Sequence, residues 1–146
     1  MTRQTLARTL TYLGAIPFIG LSFYIYSGMT VVMSQATAFK LFVTYAAVIL
    51  TFLAGIHWGV ALNPKHKASQ TLFVSSNVMA LTAWLSLNLS KTSQTLLLLL
   101  IGFVVQLIID TVLYRKHWLR EWFFKLRAIA SAIVIGSLLL VYYHLL

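Results

Sequence analysis

Ala54-Gly55-Ile56-His57-Trp58-Gly59 stands near the end of an apolar run from Ala38 to Leu62. It sets an imidazole, two glycines and an indole inside a stretch longer than the roughly twenty residues that cross a bilayer core. An ionisable group within a span is expensive to place there, so His57 marks a candidate functional site. A lone helix cannot bury that imidazole, so the rest of the chain has to supply its neighbours.

The rest is built the same way. Of 146 residues, 60% are hydrophobic and only 9% charged, and the mean hydropathy is +0.89. A soluble domain carries about a quarter charged residues, so this chain lacks the polar surface to coat a globule in water. An integral membrane protein is expected. The net charge of +9 comes from eleven Lys and Arg against two acids, Asp110 and Glu121. Such an excess can signal nucleic acid, but here it sits in short connections between apolar runs, where membrane orientation explains it. No nucleic-acid role is expected. With no cysteine in the chain, disulfides, thiol redox chemistry and cysteine-held zinc or iron–sulfur clusters are excluded. There is no Walker-type glycine loop and no dinucleotide fingerprint.

Five apolar runs predict an all-α, polytopic bundle of five transmembrane helices forming a single domain over residues 1–146. The expected spans are 9–29, 38–62, 70–89, 94–114 and 124–145. Short connections imply antiparallel neighbours. The first run is too long, and carries Pro17, Gly14 and Gly20, for a cleaved secretory signal, so it is expected to be retained. On one side of the membrane fall Arg3, Arg8, Lys65, Lys67, Arg115, Lys116, Arg120, Lys125 and Arg127, on the other only Lys40 and Lys91. That asymmetry places the amino terminus inside and the carboxyl terminus outside. Residues 115–123 suggest a short amphipathic helix in the inner headgroup layer, with Trp118 and Trp122 as interface anchors and anionic lipid as a partner. Trp58 reads as a third anchor.

Depth then draws the polar residues together. His57, Asn77, Gln106, Asp110 and Arg127 come from four helices yet all lie toward the inner end, His57 and Asp110 about 6–7 Å deep by helical rise. A carboxylate in a span needs a partner; Arg127 is the first choice for Asp110 and His57 the second. These five are candidates for ligand binding or a proton relay, against the plainer reading of a clamp between helices. Ala47, Thr51, Gly55 and Gly59 follow at intervals of four and predict a small-residue ridge for close helix approach. Asn77, Leu81, Trp84 and Asn88 form a stripe that would line a cavity or a packing seam. No residue set fits a catalytic role or a metal site. Haem is disfavoured because His57 has no second imidazole at its depth.

Three stretches resemble a family. The run Tyr45 to Gly59, with Leu13-Gly14-Ala15-Ile16-Pro17-Phe18 and Trp122-Phe123-Phe124-Lys125-Leu126-Arg127, is similar to a domain-of-unknown-function family of small bacterial membrane proteins that includes mitochondrial transmembrane protein 69. The resemblance implies a five-span inner-membrane protein and transfers no activity. Taken together, these observations lead to a non-enzymatic protein of the bacterial cytoplasmic membrane, or of the mitochondrial inner membrane in a eukaryote. It would be an accessory or ligand-binding component with a quinone or a lipid in an inner-leaflet pocket around His57 and Asp110. The alternatives are a proton-conducting element and a structural subunit that meets a membrane-protein partner or its own copies.

Overall fold

Capping residues in the sequence set where the helices begin and end. The computed structural model describes residues 1–67 and 69–146, and among these every regular element is a helix: α1 Arg3–Ser27, α2 Gln35–Ala61, α3 Gln70–Ser86, α4 Thr92–Arg115 and α5 Glu121–Leu145. Thr2 caps α1 by accepting from the Thr5 amide at 3.1 Å, and Ser34 caps α2 by accepting from the Thr37 amide at 3.2 Å. Each satisfies an amide that a helix start leaves free. Gly28 closes α1 at φ +68°, a left-handed conformation that a residue without Cβ adopts at little cost. After α2, Pro64 cannot extend the helix, and the Asn63 side chain accepts from the Lys65 amide at 3.0 Å in a turn.

The segment after α4 corrects an expectation. Residues 115–123 do not form a separate amphipathic helix; α4 stops at Arg115 and α5 starts at Glu121. The Trp118 amide reaches back to the Leu113 carbonyl at 2.9 Å and the His117 amide to Tyr114 at 2.9 Å. That is a Schellman ending, and it puts His117 at φ 58°, where glycine is the usual occupant. Trp118 and Leu113 pack in one apolar cluster, the contact that accompanies this motif. A turn that ties up these carbonyls leaves no room for a further helical segment. His117→Gly should therefore raise stability by about 0.5–1 kcal/mol by relieving the left-handed cost. A thermal midpoint that stays level or falls in detergent would count against it.

Four helices, α1, α2, α4 and α5, are long and apolar enough to cross a membrane. α3 has 17 residues and ends at Ser86 rather than Leu89. Near its end, Ser86 donates to the Ala83 carbonyl at 2.7 Å and Asn88 to the Trp84 carbonyl at 2.8 Å. These side chains compete with the backbone for the last acceptors.

Each helix packs on its neighbours in the chain, α5 closes back onto α1, and α2 meets α4 across the middle. Phe18 of α1 sits edge-on to Phe42 of α2 and to Phe103 of α4, ring centroids 6.1 and 6.3 Å apart, a favoured aromatic geometry. Around them Leu50, Leu99 and Leu138 are fully buried. A smaller cluster, Ala61, Leu72, Leu113 and Leu119, lies toward the end where α2 and α4 finish. The outer surface is also apolar, with Ile16, Phe23, Phe52, Leu81 and Ile108 among the exposed side chains. Such an exterior is solvated by lipid, and this is a multi-pass membrane protein.

Close helix approach occurs elsewhere than the small-residue ridge predicted. Thr51, Gly55 and Gly59 are exposed, and a Cβ at either glycine would meet nothing within 4 Å; only Ala47 is buried. The glycine that matters is Gly102 on α4, where a Cβ would lie 2.6 Å from Leu50 Cδ2. A bare backbone there lets α4 come up against α2. Pro17 leaves the Leu13 carbonyl of α1 without its usual donor, and one residue on the Tyr45 hydroxyl donates to the Gly14 carbonyl at 2.8 Å. Tyr45 thus ties α1 to α2 from within. Tyr24, too, is structural, donating to the Met33 carbonyl at 2.8 Å across the first connection.

A buried His–Asp–Arg cluster beside an apolar cavity

The inward faces of three helices carry the polar side chains to one place. On α2, Leu50, Ala54, His57 and Ala61 are buried, the three-and-four spacing of a single helical face. On α4, Gly102, Gln106 and Asp110 follow at intervals of four on the face that meets α2. Arg127 and Ser131 lie one turn apart on the buried face of α5. Because Gly102 brings α4 close to α2 at Leu50, the two turns below it come within hydrogen-bonding reach.

They do make contact. His57 Nε2 lies 2.7 Å from Asp110 Oδ1, and Arg127 Nε lies 2.6 Å from Asp110 Oδ2. His57 and Asp110 are both 0% exposed and Arg127 is 4% exposed. Both choices of partner for Asp110 are therefore present, each on its own carboxylate oxygen. A carboxylate accepts only, so Nε2 carries the hydrogen it donates. The Gln106 amide nitrogen is 3.4 Å from both ring nitrogens of His57. With the hydrogen on Nε2 only Nδ1 is free to accept, so Gln106 is a long, weak donor to that nitrogen.

The cluster is closed. The groups touch directly, with no open pocket between His57 and Asp110 as the sequence suggested, because one carboxylate bridges two donors at contact distance. Phe103 lies on one side along the helix axes and the Leu113–Leu119 cluster on the other. In such surroundings charged hydrogen bonds are strong and unpaired groups costly. Some groups nevertheless lack partners among the described residues: both terminal nitrogens of Arg127 and the Gln106 side-chain oxygen.

A cavity of about 360 Å³ adjoins the cluster through Arg127. It lies among α1, α2 and α5. From α1 come Thr11, Gly14 and Phe18; α2 adds Phe52 and Ile56. Phe123, Ala130 and Ser131 flank Arg127 on α5, and Arg127 is the charged residue in the lining. Its guanidinium carbon is 6.0 Å from the Phe123 ring centre, within cation–π range. Leu10 and Phe52, 58% and 66% exposed, border the cavity and lead from it to the lipid-facing surface. α1 supplied none of the candidates read from the sequence. The lining it contributes is small and apolar, a type of residue that composition cannot distinguish from ordinary packing.

The remaining candidates lie apart. Asn77 is exposed, its amide donating to the Phe73 carbonyl of its own helix at 2.7 Å. Leu81, Trp84 and Asn88 are exposed with it, so this stripe faces outward. Ser76, Met79 and Ala83 form the buried face of α3 instead; smaller side chains let α3 lie close to its neighbours. Trp58 is half-exposed and edge-on to Phe73, with ring centroids 4.7 Å apart. Trp118 stacks on His66 at 4.4 Å, joining the α2–α3 and α4–α5 connections, and Trp122 meets Phe123 at 5.6 Å.

Comparison with known proteins agrees with this architecture. The family model described as "Protein of unknown function (DUF3429)" matches residues 4–143. Transmembrane protein 69 of Xenopus tropicalis is 34% identical over 99 residues, a match covering 66% of this chain and 38% of that protein. The chain thus spans well under half the length of that curated relative. No solved structure matches.

Proposed function

This chain belongs to the DUF3429 family, and we propose that it is a non-enzymatic membrane protein that holds an amphiphile, a quinone or a lipid, in the cavity beside Arg127. The observation carrying this reading is a nearly buried arginine in the lining of an apolar cavity whose two terminal nitrogens, both enclosed, have no acceptor among the described residues. Buried donors are nearly always satisfied, and a ligand headgroup would satisfy these. His57 and Asp110 then act at one remove: His57 holds Asp110, Asp110 holds the guanidinium by its Nε, and a ligand headgroup entering the cavity has to uncover the enclosed terminal nitrogens to reach them. The three stretches that carry the family resemblance support the same assignment, since Gly14 and Phe18, Ile56, and Phe123 and Arg127 all line this cavity.

Orientation belongs to the same proposal. α2 and α4 finish at the same end, where His66 stacks on Trp118, so α3 has to return the chain across the bundle and makes a fifth crossing. Arg8 and Tyr12 of α1 share a groove with Glu121 and Lys125 of α5 at that end. The charge asymmetry assigns it to the inner side, in the bacterial cytoplasmic membrane or the mitochondrial inner membrane, with anionic lipid around the basic connections. The closed cluster also suits a second reading, in which it serves only as a clamp between α2, α4 and α5. A proton path is the weaker reading, because the Leu113–Leu119 cluster separates the cluster from the nearer end.

Extraction decides between holding a ligand and clamping alone. Protein purified in mild detergent should release about one amphiphile per chain into organic solvent, read by mass spectrometry. Ala130→Phe, which fills the cavity from α5 without touching the ion pairs, should abolish it. Equal release from wild type and variant would remove the cavity from the function.

A further inference from the structure

We infer that the cavity takes an uncharged amphiphile whose headgroup is a flat ring bearing carbonyl oxygens, the chemistry of a tailed quinone, rather than a fatty acid or a phosphate-bearing lipid. This rests on the amphiphile reading above and narrows it by charge. With the His57 imidazole neutral, Arg127 and Asp110 cancel, joined at 2.6 Å, and among the described residues the cavity lining brings no other charge. An anionic headgroup seated on Arg127 would leave one uncompensated negative charge in an apolar site, which is strongly disfavoured. A carbonyl accepts from the same guanidinium edge and adds no charge.

The walls suit a ring. Phe18, Phe52 and Phe123 come from three different helices and border one space, offering faces and edges against which an aromatic-sized plane packs well. Ser131 lies one turn beyond Arg127 on the same face of α5, a second polar group for a second carbonyl. Leu10 and Phe52 at the mouth border the route by which an apolar tail leaves for the lipid. Acyl chains need none of this aromatic lining, and a carboxylate would want a counter-charge that Asp110 has already taken.

The test uses the full chain in phosphatidylcholine nanodiscs. A decyl-tailed benzoquinone is titrated by equilibrium dialysis against protein-free discs, with dodecanoate as competitor. The quinone should bind at about one per chain, and dodecanoate should fail to displace it. Arg127→Lys keeps a charge opposite Asp110 but removes both terminal nitrogens, and should weaken quinone binding by about tenfold or more. Ala130→Phe should weaken it at least as far with the ion pairs intact. Displacement by dodecanoate at equal concentration would overturn the uncharged headgroup while leaving the amphiphile site standing. Quinone binding unchanged in both variants would place it elsewhere and overturn the inference. If neither probe binds and extraction also yields nothing, the inference and the reading beneath it fall together.

Discussion

Asp110→Ala should lower the unfolding free energy by about 3–5 kcal/mol, the cost of breaking a buried ion pair from one side. Asp110 is the one acceptor of Arg127 among the described residues, so the substitution leaves a residue that is 4% exposed with no hydrogen-bond partner among them on any guanidinium nitrogen. It also frees His57 Nε2, whose 2.7 Å contact is with the same carboxylate. Single interhelical hydrogen bonds in membranes are typically worth less than about 2 kcal/mol, since an unfolded chain in lipid also finds partners. The larger figure applies because what remains is a charge, and lipid offers a charge little better than the protein does. A matched control separates the two effects. Asp110→Leu with Arg127→Met removes both charges, and such replacements are often neutral or stabilising; this pair should recover most of the loss. Denaturant or thermal unfolding in micelles reads both. A loss below 1 kcal/mol for Asp110→Ala would mean that the pair is solvated.

Gly102→Leu should cost about 1–3 kcal/mol, toward the upper end, and should separate α2 from α4. Even the first added carbon would stand 2.6 Å from Leu50 Cδ2, and Leu50 is fully buried. For Gly102→Ala the obstruction is the tip of a flexible side chain, so a shift of Leu50 absorbs it at a cost of about 1 kcal/mol. The leucine has no such escape. Since His57 and Asp110 lie on the same helix pair below this contact, the separation should also lengthen their hydrogen bond. Leu50→Ala in the Gly102→Ala background should show a favourable coupling, as expected of two side chains sharing one space. Additive effects in that double-mutant cycle would mean that the helices do not meet at Gly102.

Much of this is legible in the chain itself. The apolar runs and sparse charge determined the membrane class and five helices, whose ends then moved by three residues or fewer except at the start of α1, which lies six residues earlier. Asp110, as an intramembrane carboxylate, demanded a partner by electrostatics alone, and both residues named for it are in contact with it. Depth was legible because helical rise is constant.

Azimuth, by contrast, came from helix packing. In water, a helix shows its buried face as an apolar stripe; in lipid both faces are apolar, so the stripe is lost. Asn77 therefore shared the depth of the cluster and yet faces outward, bonded to its own helix. The ridge of Gly55 and Gly59 looked like a helix contact, but Gly102 makes the close approach, because small residues suit a lipid-facing surface as well as a packed one. The cavity was invisible for the same reason: Gly14, Ile56 and Ala130 become its walls only once α1, α2 and α5 lie side by side. Sequence determined that this chain carries paired charge through a membrane, since that follows from solvation. Which groups meet Asp110, and through which atoms, was decided by packing, which sets how each helix turns toward its neighbours.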